Sequence, residues 1–246
     1  MSMKNTGADI AATGNMTETA AVSMLTTLPL PYRQIVFNAD RPEKFSLLLF
    51  LHGAGERGDD NERTKLNGVG KIAQYIRDNR LKVVMLIPQC PQERQWVDVP
   101  WNALAHRMPP EPSEPLRAAM ALLDAKCAEF TVDPAQIRVC GISMGGYGTW
   151  DIVCRWPGFF AAAFPVCGGG DETQAAKLKD LNLTVYHGAI DPTVPVVRSR
   201  NMVAAVRRAG NDRVLYVELP EVRHNSWELA FGDRAAMDKF FSALRE

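Results

Sequence analysis

The chain lacks the marks that would place it in several functional classes at once. No two of its five cysteines, Cys90, Cys127, Cys140, Cys154 and Cys167, lie closer than 13 residues. There is therefore no CxxC pair and no zinc-like spacing, and an odd count does not complete a disulfide framework. Most of them read as small buried hydrophobes, with a single disulfide left open. Net charge is also absent, because 28 basic and 28 acidic side chains cancel. That removes any overall bias toward nucleic acid or an anionic membrane, so neither is an expected partner. No apolar run approaches the length of a membrane span, and no internal repeat is visible. The N-terminus carries only Lys4 before a polar stretch rich in Ala, Thr and Gly, and Glu18 precedes the mildly apolar "AAVSMLTTLPLP". This is a poor secretory signal. A cytoplasmic location is the expectation, with secretion or the periplasm left for a chain whose signal was removed.

What is present is a core and a rhythm. The 246 residues are 46% hydrophobic, enough for one large domain or two small ones. Residues 1–28 show no periodicity and are expected to be a loose arm. From residue 33 onward, short apolar runs read as strands: "RQIVFN", "FSLLLFLHG", "KVVMLIPQC", "QIRVCGIS", "FAAAFPVCGG", "LTVYHGAID" and "VLYVELP". Several are apolar on both alternating faces and stop at Gly or Pro, as buried parallel strands do. Helical segments fall between them. "SEPLRAAMALLDAKCAEF" puts Leu116, Met120, Leu123 and Cys127 on one face, with Ser113 as N-cap and Pro115 in the first turn. The alternation predicts one α/β domain over residues 29–246, with a mainly parallel central sheet and helices on both faces. Only residues 89–114 break the rhythm. They are rich in Pro and hold two of the five tryptophans, and a connection this long is often functional.

Chemistry concentrates at "RVCGISMGGYGTW", residues 138–150, where four glycines crowd one serine. Gly141-Ile142-Ser143-Met144-Gly145 matches G-x-S-x-G between a predicted strand and a predicted helix. In such a nucleophile elbow the chain turns sharply, and Gly141 and Gly145 leave room where a Cβ would crowd the turn. Ser143 is then the nucleophile. A serine hydroxyl needs a base to take its proton. Two histidines follow Ser143, His187 and His224. His187 sits inside a strand and reads as a packed strand-end residue. His224, on the loop after the last strand, is the expected base. The acid is expected at the end of the preceding strand, where "VYHGAIDPTVP" supplies Asp191; Asp171 in "CGGGD" is the alternative. Two backbone N–H groups, of Ala54 in "FLHGAGERGDDN" and of Met144, would form the oxyanion hole. His52 in the same stretch reads as structural. Trp96, Trp101 and Tyr147 are candidates for an aromatic substrate wall, with ordinary core packing as the alternative.

Taken together, "LFLHGAGERGDDN", "GISMGGYGTWDIVCRWP", "HGAIDPTVP" and "RHNSW" resemble a group of predicted peptidases and esterases with the α/β-hydrolase fold. That group is related to carbohydrate feruloyl and acetyl esterases, to dienelactone hydrolase and to the catalytic domain of prolyl oligopeptidases. The resemblance covers roughly residues 33–245. It departs from dienelactone hydrolase, which carries cysteine at the elbow where this chain has Ser143. It implies a serine hydrolase that cleaves carboxylic esters through an acyl-enzyme, acting on a small-molecule ester, carbohydrate-linked or simple. It implies no metal and no organic cofactor. A prolyl-oligopeptidase-like peptidase is the alternative, and a non-catalytic binding module the remote one. Esters are expected over peptides, because the pattern from residue 33 to the C-terminus leaves no room for the covering domain of prolyl oligopeptidases. Oligomeric state is not legible.

Overall fold

The computed structural model describes residues 16–245. Its elements run β1 (Met16–Ser23), β2 (Leu30–Phe37), β3 (Phe45–Leu51), α1 (Val69–Asp78), β4 (Val83–Pro88), α2 (Glu114–Glu129) and β5 (Val132–Ile142). They continue with α3 (Met144–Arg155), β6 (Ala162–Val166), β7 (Asn182–Gly188), α4 (Val197–Arg208), β8 (Val214–Leu219), α5 (Trp227–Ala230) and α6 (Arg234–Ser242). The strands form one eight-stranded sheet in the order β1-β2-β4-β3-β5-β6-β7-β8. β1 and β2 pair antiparallel, as do β2 and β4; every other pair is parallel.

The sequence of β3, "FSLLLFL", explains why both faces are covered. Leu47, Leu49 and Leu51 join a core cluster with Leu116 and Leu123 of α2 and Trp150 of α3. Leu48 and Phe50 point the other way, to Ile72 and Ile76 of α1 and Met237 and Phe240 of α6. These five side chains are fully buried, and each such burial stabilises by about 1.5–3 kcal/mol. A half-polar strand could not occupy this place. The start of α2 is capped as its sequence predicts, with Ser113 Oγ accepting the Leu116 N–H at 3.2 Å.

Two features depart from the sequence reading. Met16–Ser23, expected within a loose arm, is a strand whose eight residues pair with Leu30–Phe37. Its polar "MTETAAVS" carries no apolar alternation because it is a half-exposed edge, held by the backbone ladder and by the Glu18–Arg33 ion pair at 2.5 Å. Residues 1–15 of the expected arm lie outside the described residues. The second is Arg138, fully buried in β5. Its guanidinium donates to the carbonyls of Phe240 at 2.9 Å, Phe241 at 2.6 Å and Ala243 at 2.7 Å, at the C-terminal end of α6. A cation there meets orphan carbonyls and the negative end of the helix dipole. Burial nevertheless pushes its pKa down to about 10.

Candidate active site

Four strand ends build the site. β5 ends at Ile142, and Ser143 follows with φ 52° and ψ −117° before α3 begins at Met144. That left-handed conformation is costly for a residue with a side chain. It is held by Ser143 N–H donating to Val166 O at 2.9 Å and by Tyr147 N–H donating to Ser143 O at 3.1 Å. Gly145 shows why the elbow demands glycine, since a Cβ there would stand 1.8 Å from the Leu51 carbonyl oxygen of β3. β7 ends at Gly188, and the loop after β8 lies against it so closely that a Cβ would stand 2.1 Å from Arg223 O. This approach returns His224 to the elbow.

The structure brings Ser143, His224 and Asp191 together. His224 Nε2 lies 2.8 Å from Ser143 Oγ, and Nδ1 lies 2.7 Å from Asp191 Oδ2. Asp191 Oδ1 accepts the N–H groups of Thr193 at 2.8 Å and Val194 at 3.0 Å. Burial alone would raise the Asp191 carboxyl, but hydrogen bonds from His187, His224, Val194 and Thr193 outweigh it and hold it well below the usual carboxylate range. Asp191 is therefore an acceptor only, which assigns the proton of His224 to Nδ1 and leaves Nε2 facing the serine.

A cavity of about 310 Å³ opens above the serine, lined among others by Gly53, Ala54, Trp101, Thr193, His224 and Trp227. Ala54 begins a short 3-10 turn after β3, and Met144 is the first residue of α3, where helix N–H groups lack intrahelical partners. His52 holds the Ala54 turn from below. Its Nδ1 donates to Gly53 O at 2.6 Å, its Nε2 accepts Cys90 N–H at 2.9 Å, and its carbonyl accepts the Trp96 indole N–H at 3.0 Å. Burial pushes the His52 pKa down to about 4.

The aromatic candidates separate. Trp101 lines the cavity. Trp96 does not; it is fully buried beneath the Ala54 turn, so its role is packing. Tyr147 is buried as well, and its hydroxyl donates to Trp101 O at 2.8 Å, so it supports the wall from behind. Trp227 was missed by the sequence reading, yet it also lines the cavity and stands edge-on to the His224 ring at 5.5 Å. Its position three residues after His224 in "RHNSW" was the available signal. Asp171, the alternative acid, is engaged elsewhere. It accepts from Arg107 Nη1 at 3.2 Å, Met108 N–H at 2.9 Å and Thr173 N–H at 3.0 Å. Those bonds outweigh the opposing effect of burial and bring its pKa to about 2. They tie the 89–114 connection to the body. Among the described residues, one group offers three metal-ligand atoms within 4.8 Å of one another, Cys167, Asp191 and His224. Two of these are already joined by a hydrogen bond, and burial pushes the Cys167 thiol up to about 12.

No protein-family model matches the chain. A solved thermostable esterase superposes with a TM-score of 0.83 at 32% identity, over 94% of this chain and 64% of its own. A ferulic acid esterase superposes at 0.64 with 16% identity, over 92% of this chain and 97% of its own. An acylaminoacyl peptidase from Pyrococcus horikoshii gives 0.64 with 14% identity, over 92% of this chain and 40% of its own. Esterase LipQ of Mycobacterium tuberculosis is 38% identical over 81 residues, which are 33% of this chain and 17% of that protein. The chain thus spans less than two thirds of the esterases it matches above 30% identity. An eight-stranded, mostly parallel sheet, a serine at a strand-to-helix elbow and these superpositions agree on one conclusion: the chain has the α/β-hydrolase fold.

Proposed function

We propose that the protein is a serine carboxylic-ester hydrolase working through an acyl-enzyme, with Ser143 as nucleophile, His224 as base and Asp191 as its orienting acid. The observation that carries this reading is the continuous path from Ser143 Oγ through His224 to Asp191, with steps of 2.8 and 2.7 Å. As an ester carbonyl enters the cavity, Ser143 Oγ attacks its carbon and passes its proton to His224 Nε2. Asp191 stabilises the imidazolium through the Nδ1–H bond. The N–H groups of Ala54 and Met144 receive the developing oxyanion, helped by the positive end of α3. His224 then gives the proton from Nε2 to the departing alcohol oxygen. Water repeats the sequence on the acyl-serine and frees the acid.

The substrate class follows from the walls. A cavity of about 310 Å³ lined by Trp101 and Trp227 suits a small or planar acyl group, near the lower end of ligand pockets. Such a group could leave a simple or a carbohydrate alcohol outside the cavity. Hydrolysis of a panel of model esters, thioesters and amides by the purified protein tests the reading. Ester cleavage that disappears in Ser143→Ala supports it, and a protein inert toward every ester refutes it.

A further inference from the structure

His187 is the penultimate residue of β7, four residues before Asp191, and is fully buried. A packed strand-end histidine needs only to fill space. This ring does more. Its Nε2 lies 3.0 Å from Val194 O and 3.3 Å from Asp191 Oδ2. Both neighbours are acceptors, so Nε2 carries a hydrogen and shares it between them. On the other side of the ring, Nδ1 lies 2.7 Å from Ser199 Oγ of α4, and Ser199 Oγ lies 3.2 Å from Gly168 O. Val194 is bonded on both its sides, giving its N–H to Asp191 Oδ1 and taking the His187 hydrogen at its carbonyl. The turn from 191 to 194 is thereby closed around the carboxylate.

We infer that His187 is a positioning residue for Asp191: its Nε2–H shares Oδ2 with His224 and so sets how tightly that carboxylate holds the His224 proton. The inference rests on the catalytic reading proposed above. Oδ2 is the oxygen that accepts from His224 Nδ1, and the Asp191 side chain is fully shielded from water. No solvent divides its charge, so neighbouring donors do. With His187 in place, Oδ2 is a weaker acceptor, and the imidazolium formed on His224 returns its proton to the leaving alcohol more readily. Without that donor Oδ2 grips the His224 hydrogen harder, and His224 stays protonated to higher pH.

The other titratable groups facing this pair keep one charge state across the neutral range. Cys167, from the end of β6, has its thiol pushed up to about 12 by burial. Tyr147 of α3 has its phenol raised, again by burial. Glu218, in register with His187 on β8, is bonded to Arg200 of α4 and held down to about 2.

The test is kcat/KM against pH for an activated ester with three proteins. Glutamine places its amide donor where Nε2 stands, and asparagine places it where Nδ1 stands. His187→Gln should keep the acid limb in place. His187→Asn should move it alkaline by about half a unit or more and lower kcat by roughly tenfold, the loss of about one charge-assisted hydrogen bond. A role confined to packing would cost both variants melting temperature and leave the limb still. An unmoved limb in a folded His187→Asn, or equal movement in both variants, overturns the inference. Where His187→Asn does not fold, Ser199→Ala takes its place. That change releases Nδ1, loosens the ring and should move the limb the same way by less; an unmoved limb again overturns it. Failure of the catalytic reading itself would look different, as hydrolysis that survives Ser143→Ala.

Discussion

Asp191 and Asp171 both follow a parallel strand of the sheet, and chain order alone left both open as the acid. Three residues beyond β7, Asp191 meets His224 at 2.7 Å; five beyond β6, Asp171 meets Arg107, Met108 and Thr173. Asp191→Asn should therefore cut kcat by about 10⁴, through the wrong His224 tautomer. Asp171→Asn should cut it far less and should instead lower the melting temperature, since it loosens the 89–114 connection. Steady-state kinetics and calorimetry on both variants decide this. His52 gives a prediction in pH. Its tautomer is fixed by Gly53 O and Cys90 N–H, and protonation at Nε2 would lose the second bond. The folded pKa is about 4, below the ordinary value near 6.5. The stabilisation is therefore complete above pH ~6.5 and falls as pH drops toward ~4, by on the order of 3 kcal/mol. Urea unfolding at stepped pH should show that decline, and it should shrink in His52→Gln. Ser143 and His224 could be proposed from residue type and order, and the acid narrowed to two candidates, whereas the contact of His187 with Asp191 could not be read from a strand-end position. Trp227 carries no periodicity, so its place three residues after His224 was the one signal for it. Of the two readings of Trp96, packing fits its burial, and its indole partner, the His52 carbonyl, is 44 residues away in sequence.

At the scale of elements, the central strands were legible because they are apolar on both alternating faces, and the helices because their apolar positions recur at three and four. β1 was not, since an edge strand is defined by its partner's backbone and not by its own side chains. Arg138 was equally hidden. Inside the apolar run of β5 a single charge looks like an interruption, and only the end of α6, about 100 residues later, supplies its carbonyl partners. Arg138→Met should leave three carbonyls without their donor and lower stability by about 2–4 kcal/mol. Because α6 lies away from the serine, activity per folded molecule should hardly change. Denaturant unfolding combined with active-site titration separates the two effects.

For the whole molecule, the sheet delivers the ends of β3, β5, β7 and β8 to one edge, and the site is assembled there from four separate stretches of chain. The 89–114 connection adds a wall through Trp101, and the stretch after β8 adds Trp227. Amide cleavage needs a proton delivered to a poor leaving nitrogen in a closely held geometry, whereas an ester with a good leaving alcohol does not. The value of kcat/KM for a short-chain or hydroxycinnamoyl ester should exceed that of a matched peptide amide by orders of magnitude. Comparable values would favour the peptidase.

In the proposed reaction Ser143, activated by His224, is the nucleophile. The most direct measurement of this is fluorophosphonate labelling of the intact protein, with the modified residue mapped by mass spectrometry and hydrolysis followed in parallel. One label per chain is expected, on Ser143. Labelling should be slowed strongly in His224→Ala and absent in Ser143→Ala, which should be folded and have lost on the order of 10⁶ in turnover. A label on another residue, or substantial hydrolysis by purified Ser143→Ala, would contradict Ser143 as the nucleophile.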